Sequence, residues 1–205
     1  MIVSFSGIDG SGKTSMSKRL AKYFNEIGIK SRYMRPNYDN NEIIKKYCFN
    51  KYNDEHAYYP NLNSDLYLSS LTMDWLNWWY NSTIEENTLY FCDRYIIDVY
   101  TQSLQYNANP EVVSPLFEAL PKPLISFYLD IKPENAENRI KKRSYPEQHK
   151  LESLNELKRL QKNYKIAEKN SKWSYHYLNA EGKFEQNVQH AFKIIRSYLS
   201  LGEKI

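Results

Sequence analysis

The run Gly7-Ile8-Asp9-Gly10-Ser11-Gly12-Lys13-Thr14 has the spacing G-x-x-x-x-G-K-S/T. That spacing makes a phosphate-binding loop when a strand precedes it and a helix follows. Here the apolar run Ile2-Val3-Ser4-Phe5 comes directly before it and a helical pattern directly after. Glycine at Gly7, Gly10 and Gly12 lets the chain turn with positive φ, so that backbone N–H groups, that of Ser11 included, converge on phosphate oxygens. Lys13 sets a point charge near the β- and γ-phosphates, and the Thr14 hydroxyl can ligate Mg²⁺. The helix that starts at Lys13 or Thr14 turns its positive end toward the same anion.

A second chemical triplet, Asp93-Arg94-Tyr95, closes the apolar run Leu89-Tyr90-Phe91-Cys92. Ligands of a parallel sheet bind at the carboxyl ends of its strands, so the triplet belongs beside the phosphate loop. Asp93 can hold Mg²⁺ directly or through water, and Arg94 can grip a second phosphate group with both arms of its guanidinium. Tyr95 either stacks on a base or packs. The basic run Arg139-Ile140-Lys141-Lys142-Arg143 has three readings: a solvated helix end, a nucleic-acid patch, or further cations for a polyphosphate. The chain lacks an N-K-x-D base-reading signature, and no D-x-x-G switch motif follows the loop, which argues against a GTPase switch. Its length also falls short of a typical motor domain. What is left is a small phosphotransferase.

The elements that must position these residues follow from periodicity. Met16, Leu20, Phe24 and Ile27 mark a helix ending at Gly28, and Ile29 to Met34 reads as a second strand, so the chain opens as a βαβ unit with a parallel sheet. A loop at Asn37–Asn41 leads to a short helix from about Glu42, and residues 52–63 read as irregular. The helix at Ser64–Ser82 carries too many apolar positions for one narrow stripe, so it is expected to be deeply buried or doubly covered. Helices follow at 97–104 and 110–120, then a strand at Leu124–Asp130 and a helix from Pro133 through the basic run. A helix carrying Leu154 to Ala167, a strand at Tyr175–Leu178 and a helix at Phe184–Leu201 complete the chain. In 205 residues this makes one domain. Hydrophobic residues at 41% with charged residues at 25% suit a soluble globular protein, and a net charge of +4 requires no nucleic-acid polymer as partner. There is no apolar run long enough to span a membrane and no signal-peptide pattern, so a cytoplasmic location is expected. Cys48 and Cys92 cannot form a disulfide framework, and the four histidines have no metal-ligand spacing.

These residues resemble the thymidylate kinases, and the likeness runs from end to end. Phe5 to Thr14 resembles that family's phosphate loop, with Asp9 at the acidic position that contacts the acceptor nucleotide's sugar. Asp93-Arg94-Tyr95 resembles its D-R-Y/H motif, whose arginine binds the acceptor phosphate. Leu129-Asp130 through Pro133, Ala136, Arg139-Ile140 and Arg143 is similar to the family's strand and basic lid, and Lys150-Leu151-Glu152 to the lid's R-x-E. Asn179-Ala180, followed by Glu185 and Val188, resembles the segment near the donor base. The resemblance implies a P-loop NTPase-type α/β three-layer sandwich. It would have a five-stranded parallel sheet, helices on both faces and a short lid at about 141–152, all in one domain over residues 1–205. It also implies ATP and Mg²⁺, a nucleoside monophosphate acceptor with dTMP foremost, and a homodimer. Lys13, Arg94, Arg139 and Arg143 then form the catalytic group.

The sequence departs from the family at the acceptor. Arg35 stands immediately before Pro36, one position off the usual arrangement for a second phosphate ligand. Asp74 and Trp75 stand where the family has an acidic or amide residue and then an arginine that reads thymine; tryptophan can stack but cannot make the two donor contacts. Asp98 replaces a small or hydroxyl residue of the base pocket. Trp75, Trp78 and Trp79 form either core or interface. Two rivals remain: a deoxynucleoside kinase, which needs a carboxylate base after the second strand where this chain has Arg35, and a binding module without catalysis.

Overall fold

Successive residues along the strands face opposite sides of the sheet, and helices cover both sides. Val3 and Phe5 of β1 (Ile2–Ser6), Leu89 and Phe91 of β3 (Leu89–Asp93), and Ile125, Phe127 and Leu129 of β4 (Ile125–Asp130) join one buried cluster. That cluster includes Met16, Leu20 and Phe24 of α1 (Lys13–Glu26) and Val188, Ala191 and Ile195 of α9 (Phe184–Gly202), and it extends to Tyr128 of β4, which faces the other way and meets Tyr164 of α8 (Leu154–Ser171) with ring centroids 5.2 Å apart. Ile2, Tyr90 and Cys92 face that way too. They meet Leu68, Leu71 and Trp75 of α4 (Ser64–Asn81) and Ile96 and Val99 of α5 (Ile96–Gln105). Phe5 and Phe127 stack across neighbouring strands with ring centroids 5.2 Å apart. Burial at nearly every position of β1, β3 and β4, with helices on both faces, makes the expected three-layer α/β sandwich.

The computed structural model describes residues 1–142, 152–171 and 174–202. Its five strands are all parallel in the order β2-β3-β1-β4-β5, with β2 at Ser31–Met34 and β5 at His176–Asn179. β1 is central: the chain leaves it toward β2 and β3 on one side and later builds β4 and β5 on the other. The order reverses over the carboxyl end of β1, and a crevice opens there. α2 (Asp39–Tyr52), α3 (Tyr58–Asn61) and α6 (Ser114–Ala119) lie with α4 and α5 on one face, and α7 (Pro133–Lys141) follows β4. No helix among the described residues is long and apolar enough to cross a membrane.

Four differences from the sequence expectation have a clear physical setting. Strand β2 begins at Ser31 rather than Ile29, because Gly28 (φ +81°) donates to Asn25 O at 3.0 Å and Ile29 to Phe24 O at 2.9 Å. Those two bonds form the paired C-terminal cap of α1 and consume both residues. The helix expected over 110–120 is split into a 3₁₀ turn at Pro110–Val113 and then α6, since Pro115 has no N–H to donate back to Glu111. On α4, Leu68, Leu71 and Trp75 are buried, yet Leu66, Met73 and Tyr80 are 65, 57 and 76% exposed along one heptad-spaced stripe. One chain leaves that face uncovered.

The fourth difference is α2, which begins at Asp39 and absorbs most of the expected loop. Asp74 on α4 accepts the N–H of Asn40 at 2.8 Å and of Asn41 at 3.2 Å, so a carboxylate from another helix satisfies two first-turn donors. A negative charge there also suits the positive end of α2. Asp74→Ala is expected to lower the unfolding free energy by roughly 1–2 kcal/mol, read from urea denaturation. Asp74→Asn, which keeps an acceptor oxygen, is expected to cost less.

Candidate active site

The phosphate loop is clamped by its glycines. A Cβ at Gly7 (φ +141°) would come 2.9 Å from Leu129 O, and one at Gly10 (φ +83°) would come 2.5 Å from Ala136 O. The loop therefore lies in direct backbone contact with the end of β4 and the start of α7. Within it Ser11 N donates to Ile8 O at 3.2 Å, and α1 starts with Met16 N on Gly12 O at 3.0 Å. Lys13 is only 6% exposed and donates from Nζ to Gly7 O (2.8 Å) and Ile8 O (2.9 Å), with Asp9 Oδ1 at 3.6 Å. Burial pulls its pKa down to about 8, and the charge of Arg94 adds to the fall, against the opposing pull of Asp9, Asp98 and Asp93. The Ser11 hydroxyl is buried with no hydrogen-bond partner. An orphaned donor, a buried lysine and backbone that only glycine fits make a cradle for a phosphate chain.

Beside it, the register Phe5↔Asp93 brings the end of β3 alongside the end of β1, and Arg94 N donates to Phe5 O at 3.0 Å. Asp93 Oδ2 accepts from Thr14 Oγ1 at 2.5 Å and from Tyr33 OH at 3.2 Å. Thr14 and Asp93 thus form a pair of hard oxygen donors at the foot of the loop, a set that suits Mg²⁺. Among the described residues no cluster of three or more His, Cys, Asp or Glu could hold a metal, so the remaining ligands there would be phosphate oxygens and water. Arg94 takes the left-handed conformation (φ +76°), uncommon for a residue with a side chain. Its guanidinium meets Asp9 Oδ1 and lies 3.8 Å from Asp98 Oδ1. Asp9 therefore faces two cations, one from the phosphate loop and one from the strand opposite.

Around Arg94 the structure assembles residues that carry no motif. The hydroxyl of Tyr38, just after Arg35-Pro36-Asn37, is pushed up to about 12, by burial first, within the fields of Arg94, Asp98, Arg35 and Asp93. Tyr33 is raised by burial and by Asp93, with Arg35 working the other way. Arg35 itself is exposed. Tyr164 of α8 places its hydroxyl 3.1 Å from Gly7 O and 2.6 Å from Asp98 Oδ1. Neither Tyr38 nor Tyr164 was singled out from the sequence, since a tyrosine in a loop or on a helix face is ordinary there.

The other expected residues fall in two groups. Tyr95 packs: it is fully buried, its hydroxyl donates to Pro121 O at 2.9 Å, and Trp75 meets its ring edge-on at 5.7 Å. Trp75 is 1% exposed and also meets Trp78 edge-on. The Asp74 carboxylate is turned to α2, away from Arg94, and both Asp98 oxygens are already engaged. On the far side, Arg139 lies between the phosphate loop and β5, with Nη1 3.4 Å from Gly10 O and Nη2 donating to Ala180 O at 2.7 Å. Asn179 and Ala180 are anchored there, Ala180 N on Asp130 O at 2.8 Å and Asn187 Nδ2 on Asn179 O at 2.6 Å. Of the lid expected at 141–152, only Lys141, Lys142 and Glu152 are among the described residues; Arg143, Lys150 and Leu151 lie outside them.

Comparison with known proteins points to one family. The family model described as thymidylate kinase matches residues 5–191. A probable thymidylate kinase of Sulfolobus acidocaldarius is 27% identical over 203 residues, covering 97% of this chain and 98% of the relative. One of Archaeoglobus fulgidus is 24% identical over 210 residues, covering 98% and 97%. Among solved structures, a deoxyadenosine kinase from M. mycoides with dCMP and a flexible dCDP bound superposes with a TM-score of 0.64 at 17% identity. That superposition covers 96% of this chain and all of the other, a likeness of fold.

The lowered Lys13 pKa makes anion binding visible as proton uptake. At pH 9 a free Lys13 with a pKa of about 8 is mostly neutral, whereas polyphosphate against it favours the ammonium. Calorimetric titration with tripolyphosphate in buffers of different ionisation enthalpy is expected to show uptake of most of one proton at about pH 9 and little at about pH 6.5. Lys13→Arg, charged throughout, is expected to lose that uptake.

Proposed function

On the premise that the chain belongs to the thymidylate kinase family, we propose that it moves the γ-phosphoryl group of ATP to dTMP, giving ADP and dTDP. It is a nucleoside monophosphate kinase; dTMP as the preferred acceptor is the finer reading. The observation that carries the reading is Asp9, shared between Lys13 of the donor loop and Arg94 of the opposite strand end. Two cations for two phosphate groups meet at one carboxylate, as a transfer between two phosphorylated substrates requires.

In this reading the loop amides, the Ser11 hydroxyl, Lys13 and the start of α1 hold the donor phosphates, and the donor base lies near Asn179 and Ala180. Thr14 and Asp93 would hold Mg²⁺, which when bound neutralises charge on the β- and γ-oxygens. Arg94 and Arg35 hold the acceptor phosphate, while Asp9 turns from its two cations to the acceptor sugar. An acceptor phosphate oxygen attacks the γ-phosphorus in line, and the bond to the β–γ bridging oxygen breaks with its electron pair going to ADP. The attacking oxygen is already anionic, so no general base is needed. Arg139 and Arg143 neutralise the charge that builds on the moving group. Trp75, 1% exposed and packed against Tyr95 and Trp78, supplies neither the arginine's donor contacts nor a stacking face for the acceptor base. ATP as donor and two free, buried cysteines accord with work in the cytoplasm.

The open stripe of Leu66, Met73 and Tyr80 on α4 supports the homodimer. In a second copy the same stripe would cover it, as a two-fold interface requires. Met73→Asp is expected to halve the mass seen by sedimentation equilibrium.

Coupled ADP formation over a panel of nucleoside monophosphates and nucleosides tests the assignment. Turnover is expected to be fastest with dTMP; turnover with nucleosides alone would point to a deoxynucleoside kinase, and none with any acceptor to a binding module. Arg94→Ala is expected to lower kcat/KM for dTMP by about a hundredfold or more. A near wild-type rate for that variant would remove Arg94 from the site.

A further inference from the structure

The carboxylate of Asp98, in the first turn of α5, collects more of the site's framework than any motif residue. Its Oδ2 accepts from Ser6 Oγ at 2.7 Å and from Tyr95 N at 2.8 Å. Its Oδ1 lies 2.6 Å from Tyr164 OH and 3.8 Å from Arg94 Nη1. The end of β1, the loop after β3, α5 and α8 therefore converge on two oxygen atoms. Gly7, the first residue of the phosphate loop, joins through its carbonyl, 3.1 Å from the same Tyr164 hydroxyl. Asp98 is 1% exposed, and a carboxylate so deep holds a charge only with hydrogen-bond donors and a cation facing it. The donors are Ser6, Tyr95 N–H and Tyr164; the cation is Arg94.

Arg94 has the converse need. Its guanidinium is flanked by two carboxylates, Asp9 and Asp98, which aim it. Of these, Asp9 is 31% exposed at the side chain and Asp98 only 1%. Once Asp9 turns to an acceptor sugar, Asp98 is the carboxylate that still faces Arg94. We propose that Asp98 is a positioning residue for phosphoryl transfer: it holds Arg94 toward the acceptor phosphate and ties that arginine to the Ser6–Gly7 edge of the donor loop. The inference rests on the nucleoside monophosphate kinase reading.

Steady-state kinetics of Asp98→Asn, alone and in an Arg94→Lys background, test it. Asn keeps the size but loses the charge facing Arg94 and turns one acceptor into a donor. The expected result is a ten- to hundredfold fall in kcat/KM for the nucleoside monophosphate, with KM for ATP changed less than about twofold. In the Arg94→Lys background the same substitution is expected to cost under about threefold, because its effect runs through the arginine. Equal losses toward both substrates, no loss at all, or an undiminished loss in the Arg94→Lys background would each overturn the proposal. Should Asp98→Asn fail to fold, Tyr164→Phe removes one donor and leaves the charge pair. That variant is expected to raise the acceptor KM two- to fivefold without moving the ATP KM, and an equal shift in both, or none, overturns the proposal. A wild-type protein without acceptor-dependent ADP formation overturns both the kinase reading and this inference. An active wild type with an indifferent Asp98→Asn overturns this inference alone.

Discussion

A buried cation must be surrounded by acceptors, and this site contains two, close enough to repel. Lys13 is 6% exposed and Arg94 15% at the side chain, and each disfavours the other's charge. The arrangement stands because three carboxylates from three places in the chain, Asp9, Asp93 and Asp98, lie within the same small volume. Without substrates the charges satisfy one another; Lys13 also spends hydrogen bonds on Gly7 and Ile8 carbonyls. On the proposed reading, phosphate groups take the place of those partners and meet cations already held at fixed points. Much of the fold is the means of keeping these five side chains together.

The sheet does that work through order rather than through size. With β1 between β3 and β4, the phosphate loop emerges next to Asp93 on one side and next to the end of β4 and the start of α7 on the other. Gly7 and Gly10 let backbone touch backbone at the second junction, where even a methyl group would collide with a carbonyl oxygen. Arg139 then crosses from α7 to the loop and to β5, so the donor side is bound to three elements. The side toward Arg94 depends more on side chains: Tyr38, Asp98 and Tyr164 come from three places in the chain, and none is held by backbone complementarity of that kind.

That contrast explains how much was legible beforehand. The order and kind of the elements were legible because apolar periodicity reports which face is buried, and parallel strands buried on both sides leave a clear record. The donor half was legible because backbone conformation needs glycine at fixed spacing. Boundaries were less so: Ile29 looks like strand yet completes the cap of α1, and Asn37–Asn41 looks like loop yet enters α2 because Asp74 reaches over from α4. Leu66 and Met73 read as part of an apolar helix expected to be deeply buried or doubly covered, but only the packed chain shows that its own neighbours leave them open, with Tyr80 in the same stripe.

By itself, the sequence determined that a glycine-spaced loop of the phosphate-binding pattern follows β1, that an Asp–Arg pair ends β3, and that both sit on a parallel α/β sheet. Those facts depend on residues close together in the chain, where spacing dictates geometry. Only the tertiary structure decided what the carboxylates do. Asp9, Asp74 and Asp98 are alike in composition, yet one is shared by two cations, one caps a distant helix, and one joins β1, β3, α5 and α8. A carboxylate's role is set by the donors that folding brings within about 3 Å, and here most of those donors come from elements far away in sequence.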